Sequence, residues 1–152
     1  MSANVEPIFP RSPLLRCVSL FSEDGAVPRN IGTGATPPKV IVEGGDDGVI
    51  IGNLFVIPVG VITANIISFF VRGADGQWNL LVEHPLLALT NDSSAIPTQG
   101  CAMPQILSPN ISTSTDKKNG ITLEPGSALG AGMRTALSGA QGLNLWVQGG
   151  FY

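Results

Sequence analysis

A chain of 152 residues is the size of one domain and long enough to bury a substantial core. Only 12% of the residues are charged while 43% are apolar, and the 19 Gly and 12 Pro argue for short strands and many turns rather than a helical bundle. A formal net charge of −3, with Lys117-Lys118 as the one adjacent basic pair, gives no basic surface for nucleic acid, and the aliphatic content excludes a disordered chain.

Residues 1–13 contain Pro7, Pro10 and Pro13 and little periodicity. They are predicted to form an extended arm ahead of a single domain at 14–152. The opening MSANVEPIFP lacks a basic stretch followed by an apolar core, so no secretory leader is expected. An isolated arm cannot bury Ile8 and Phe9, which are therefore candidate anchors on a neighbouring subunit. Leu14–Phe21 reads as the first strand. Residues 22–38 form a loop long enough to suggest an excursion with a purpose.

Lys39–Glu43 is a short predicted strand with Val40 and Val42 on one face. Gly44-Gly45-Asp46-Asp47-Gly48 has the composition of a hairpin turn. Val49–Ile57 is predicted as a long strand. Leu54 to Val71 is nearly continuous apolar sequence and just reaches the length of a membrane span. Pro58, Gly60, Thr63 and Asn65 interrupt it, and its β-branched content favours two strands split at Pro58–Gly60. No membrane partner is expected.

The clearest local signal runs from Val61 to Leu86. Ile66–Val71 is β-branched and aromatic, Gly73-Ala74-Asp75-Gly76 supplies a turn, and Trp78–Glu83 returns until Pro85 stops it. Leu86 to Pro109 is irregular, with Leu86–Leu89 a short strand or helical turn and Ile106-Leu107 a brief pairing. Ser108–Asn119 is a polar loop. Short strands follow at Ile121–Leu123 and Leu129–Leu137, with turns at Glu124–Gly126 and Ser138–Gly142. In the last strand Leu143, Leu145 and Val147 should point inward, against Asn144, Trp146 and Gln148 outward. Together these elements predict an all-β fold: a single antiparallel β-sandwich, jelly-roll-like, of about eight strands, with an extended N-terminal arm.

The residues that could carry chemistry do not assemble into a constellation. His84 is the only histidine, so neither a triad nor a typical zinc site is indicated. Glu43, Asp46 and Asp47 cluster at a Gly-rich bend but lack a calcium-loop spacing, and turn chemistry accounts for them. Gly32-Thr33-Gly34 and Gly130-Ala131-Gly132 have no lysine or strand–loop–helix context for phosphate. Cys17 and Cys101 match no metal spacing and are predicted to be free thiols unless the fold brings them together. No enzyme, catalytic residue, cofactor or metal is expected. Trp78 or Trp146 could stack on sugars, which leaves a carbohydrate-binding module as an alternative, although burial explains aromatics more simply.

A surface this poor in charge suits a protein covered by partners better than a solitary monomer. Two stretches resemble small β-sandwich virion proteins of tailed bacteriophages. One is Thr63-Ala64-Asn65-Ile66 through Phe69-Phe70-Val71-Arg72-Gly73 to Trp78-Asn79-Leu80-Leu81-Val82-Glu83. The other is Leu123-Glu124-Pro125-Gly126-Ser127-Ala128-Leu129, then Ala136, then Asn144-Leu145-Trp146-Val147-Gln148-Gly149-Gly150-Phe151-Tyr152. The resemblance implies a non-enzymatic virion protein assembled in the host cytoplasm. A capsid decoration or cement protein that stabilises the shell is the first expectation; a neck, tail or baseplate adaptor is the alternative. It implies the major capsid protein or other virion proteins as partners, and a homo-oligomer, with a trimer as one form. Candidate partner-binding residues are Ile8, Phe9, Leu14, Leu15, Ile67, Phe70, Trp146, Phe151 and Tyr152. Ile67 and Phe70 enter because adjacent apolar residues, as in Ile66-Ile67 and Phe69-Phe70, face opposite sides of a sheet. A second subunit is the expected cover for the outer side.

Overall fold

The computed structural model describes residues 12–88, 101–102 and 120–152. Nine strands are present among them: β1 (Ser12–Phe21), β2 (Lys39–Glu43), β3 (Val49–Val59), β4 (Asn65–Arg72), β5 (Trp78–Leu86), β6 (Cys101–Ala102), β7 (Ile121–Leu123), β8 (Ala128–Met133) and β9 (Gly142–Phe151). They form two antiparallel sheets. The first has the order β1-β9-β3-β6, with β7 also on β3; the second has the order β2-β8-β4-β5. β6 and β7 occupy successive parts of the same β3 edge, at Phe55–Val56 and Val49–Ile51. Taken as one position, they complete a simple rule. The first strand pairs with the last, the second with the next to last, and so inward to the hairpin β4–β5. A long antiparallel ribbon folded over on itself in this way is a jelly roll.

The core lies between the sheets. Leu143, Leu145 and Val147 of β9 meet Ile51, Leu54 and Val56 of β3 on one side, and Ile67, Phe69, Leu129 and Ala131 line the other. The expected alternation in β9 holds, with all three aliphatic residues fully buried. Ser12 and Pro13 belong to β1, paired with Phe151 and Gly150, so the strand starts two residues before the expected Leu14 and takes in the end of the 1–13 arm. Ile8 and Phe9 lie outside the described residues, as do Ile106-Leu107 and the polar loop 108–119.

Several local expectations change in the tertiary context. The break in the 54–71 apolar run falls at Gly60 (φ 76), not at Pro58, which sits inside β3 opposite Leu143. β6 reaches only Phe55–Val56, so among the described residues nothing requires an N–H on the far side of Pro58. Pro85 likewise does not end β5, because β5 is an edge strand. Val40 and Val42 do not share an inward face: a register shift between them turns Ile41 and Val42 both into the core. The Gly44–Gly48 turn joins β2 to β3, which lie in different sheets, and is a crossover rather than a hairpin. Predicted Leu129–Leu137 stops at Met133. No helix among the described residues is long and apolar enough to cross a membrane.

Candidate interaction face

The outer faces of the two sheets differ in chemistry. On the second sheet, Ser68, Phe70 and Arg72 of β4 alternate with the inward Ile67, Phe69 and Val71. Residues 22–38 fold back over this face as a strap. Ala26 forms a bridge with Met133, and the Val27 N–H donates to the Met133 carbonyl (2.8 Å). The Val27 side chain occupies the space above Gly132, and Pro38 and the Trp78 ring occupy the space above Gly130. Gly130-Ala131-Gly132 is therefore a packing device: a side chain at either glycine would collide with the strap or the indole. The Arg72 guanidinium sits 5.3 Å from the Trp78 ring centroid and pairs with Glu43 at 3.5 Å.

Glu83 anchors the strap. Arg29 Nε donates to both carboxylate oxygens at 3.0 and 2.9 Å, Arg134 Nη1 donates to Oε1 at 2.5 Å, and the buried Ser68 hydroxyl donates to Oε1 at 3.2 Å. The hydrogen bonds from Arg29, and after it from Arg134, hold the Glu83 carboxyl down at about 2 against the ordinary 4.5. Lys39 Nζ pairs with Asp24 at 2.8 Å and ties the two ends of the strap together. The strap leaves a cavity of about 250 Å³ over Leu20, Val27, Ala131 and Met133. Its walls are mostly apolar, with Asp24, Thr36 and Lys39 also lining it.

This arrangement corrects two of the expected partner-binding residues. Ile67 and Phe70 are both fully buried. Ile67 lies in the core between the sheets, and Phe70, on the outer side, is covered by the chain itself rather than by a second subunit. Phe70 pairs with Gly130, the residue beneath Pro38 and Trp78. Arg29 and Glu83 had no local signal, since they are 54 residues apart in sequence.

Among the described residues, the outer face of the first sheet has neither charge nor strap. Reading across β1, β9 and β3, the register aligns Leu15, Gln148 and Asn53; Cys17, Trp146 and Phe55; Ser19, Asn144 and Ile57; Phe21, Gly142 and Val59. None of these side chains carries a charge, and partial burial pushes the Cys17 thiol up, keeping it protonated at neutral pH. Trp146 stacks on Phe55, with centroids 6.3 Å apart and ring planes 8° from parallel. Polar members satisfy one another: Ser19 donates to Asn144 at 2.6 Å and Asn53 to Gln148 at 3.3 Å. Around them Leu15 is 63% exposed, Phe21 40% and Val59 40%.

Leu15 and Trp146, two of the expected contact residues, thus lie on one open face, while Leu14 points the other way and packs on the core. Phe151 also packs on the core, and Phe151 and Tyr152 close around Gly45 and Gly48 of the β2–β3 crossover. Cys17 is a free thiol. β1, which carries Cys17, and β6 (Cys101–Ala102) stand at opposite ends of the strand order of the first sheet. No group of three or more metal-ligating side chains occurs among the described residues. His84 pairs across from Ile67 in the hairpin.

The fold and this face define an all-β jelly-roll domain with one self-covered charged face and one uncharged face left uncovered among the described residues. Comparison of the chain with family models, with curated proteins and with solved structures finds no match.

Proposed function

We propose that the protein is a non-enzymatic assembly protein that docks through the uncharged outer face of its first sheet. In the setting that the sequence resemblance implies, it is a structural component of a tailed-phage virion, a capsid decoration or cement protein bound to the major capsid protein. The observation that carries this reading is the concentration of Leu15, Phe21, Phe55, Val59 and Trp146 on one face without a charge. Such patches, edged by polar groups such as Asn53 and Gln148, are the usual signature of a contact surface. Jelly rolls also build viral capsid domains, although function within such a fold resides in the site rather than in the topology.

Docking on a shell would stabilise it by mass action, because the protein binds the assembled lattice and not its dissociated subunits. The test is binding of the purified protein to shells that lack it, followed by counting copies per particle. Binding at hundreds of copies, lost in Leu15→Lys and Trp146→Ala while circular dichroism is unchanged, supports the decoration role. About a dozen copies would move the protein to the neck, tail or baseplate, in keeping with the symmetry of that axis. Failure of the wild type to bind any virion component would reject the reading. Trp78 is engaged by Arg72 and by the Gly130 surface. A glycan-binding reading therefore rests on Trp146 alone, and the absence of glycan binding would remove it.

A further inference from the structure

The four sheet edges are protected unequally. β2 is five residues long, contains a register shift and ends in Lys39 and Glu43. β5 contains a register shift and Pro85. The far edge of β3 is taken by β6 and β7. Short length, bulges, charges and prolines are the devices that keep edges from pairing with other chains. β1 has almost none of them. Its ten residues pair with β9 without a register shift, Pro13 lies at its start, and Arg16 is its one charge. Among the described residues nothing pairs with its other side.

We propose that β1 is a homodimer interface, in which the β1 strands of two copies pair antiparallel about a two-fold axis and join two first sheets into one continuous sheet. The occupant is a second copy for three reasons. Antiparallel pairing of one strand with itself closes as a two-fold dimer, the commonest symmetric assembly. The two strands have equal length and no bulge, so the backbone groups of each match those of the other. The face flanking the edge is uncharged, so two copies meet there without repulsion.

The register follows from charge. With the axis normal to the sheet, residues of like parity stand opposite, and each inner face stays on the same side. Centring on Arg16 would set two guanidinium groups directly opposite, which is unfavourable. Centring on Cys17 moves Arg16 opposite the partner's Val18 and Leu15 opposite the partner's Ser19, and keeps residues 13–21 in the pairing. Cys17 then faces the partner's Cys17 at a Cα separation of about 4.5–5.5 Å, inside the range a disulfide can bridge.

Sedimentation equilibrium of the full chain, followed by mild oxidation with diamide and mass-spectrometric mapping, tests this. Diamide removes two electrons and two protons from two facing thiols as the S–S bond forms. A reversible dimer that oxidises to a Cys17–Cys17 link is expected. Cys17→Lys and Cys17→Glu should each be monomeric, and mixing the two should restore the dimer through the opposed charges. Cys17→Ser should stay dimeric and lose the link, which keeps the test informative if a charged variant fails to fold. A protein monomeric at all concentrations, a dimer indifferent to both charged variants, or links formed only through Cys101 would overturn the proposal. It does not rest on the virion reading: shell binding by a monomer would overturn this interface alone.

Discussion

The side chain of Val27 stands where any β-carbon on Gly132 would have to be. A strap residue and a central-strand residue, over a hundred positions apart, are thus a single packing unit. Gly132→Ala is expected to destabilise the fold by about 1–3 kcal/mol, the usual range for forcing an extra carbon into a packed site. Val27→Ala in the same chain should recover part of that loss, because it vacates the space. Chemical denaturation of the two single variants and the double variant measures the coupling.

The Glu83 cluster makes stability depend on acid. The carboxyl is held at about 2 in the folded chain, against 4.5 when free. A lowered folded value means that the contribution is complete above 4.5 and is lost as pH falls toward 2. Glu83→Gln should therefore lose stability at neutral pH and show a flatter decline between those two values. Thermal melts over that interval check the slope. Limited proteolysis within 22–38 should speed up in the variant, since Arg29 then loses its carboxylate.

Exposure separates contact residues from core residues. Leu15→Ser should leave stability within about 0.5 kcal/mol, as for most surface changes. Ile67→Ala should cost about 2–5 kcal/mol and Phe70→Ala about 3–5 kcal/mol. Urea titrations of the three variants decide it. A small effect at Phe70 would mean that Pro38 and Trp78 do not cover that side as the structure has it.

The Phe55–Trp146 stack should behave as a local pair on an open surface. A double-mutant cycle with Phe55→Ala and Trp146→Ala is expected to give a coupling of about 0.5–1.5 kcal/mol. Trp146 fluorescence should shift on Phe55→Ala without loss of the β-sheet dichroism signal.

Much of this architecture is readable from periodicity alone. The alternation of Leu143, Leu145 and Val147, the turn at Gly73–Gly76 and the hairpin of β4 with β5 depend on neighbours a few residues away, and the structure reproduces them. Pro58 and Pro85 were misleading because a proline breaks a strand only where its missing N–H is needed. That depends on which strand lies alongside, a tertiary property. Val40 and Val42 failed for a similar reason: the shift that turns Ile41 and Val42 inward is a feature of their pairing with β8.

By itself the sequence determined the β class, most strand positions and the shortage of charge, because these follow from residue type and short-range spacing. It also showed that Ile66-Ile67 and Phe69-Phe70 must bury both sides of a strand. Only the tertiary structure decided what covers the second side. Val27, Pro38 and Arg29 reach it from a loop that carries no local sign of its destination, and Gly130, Gly132 and Glu83 receive them. The face left uncovered among the described residues is consequently the other one, on β1, β9 and β3, where alternation sends Leu15, Cys17, Trp146 and Phe55 outward together. Residue spacing orients each side chain along its own strand, but strand order brings those side chains onto one surface, and strand order is set by long-range pairing.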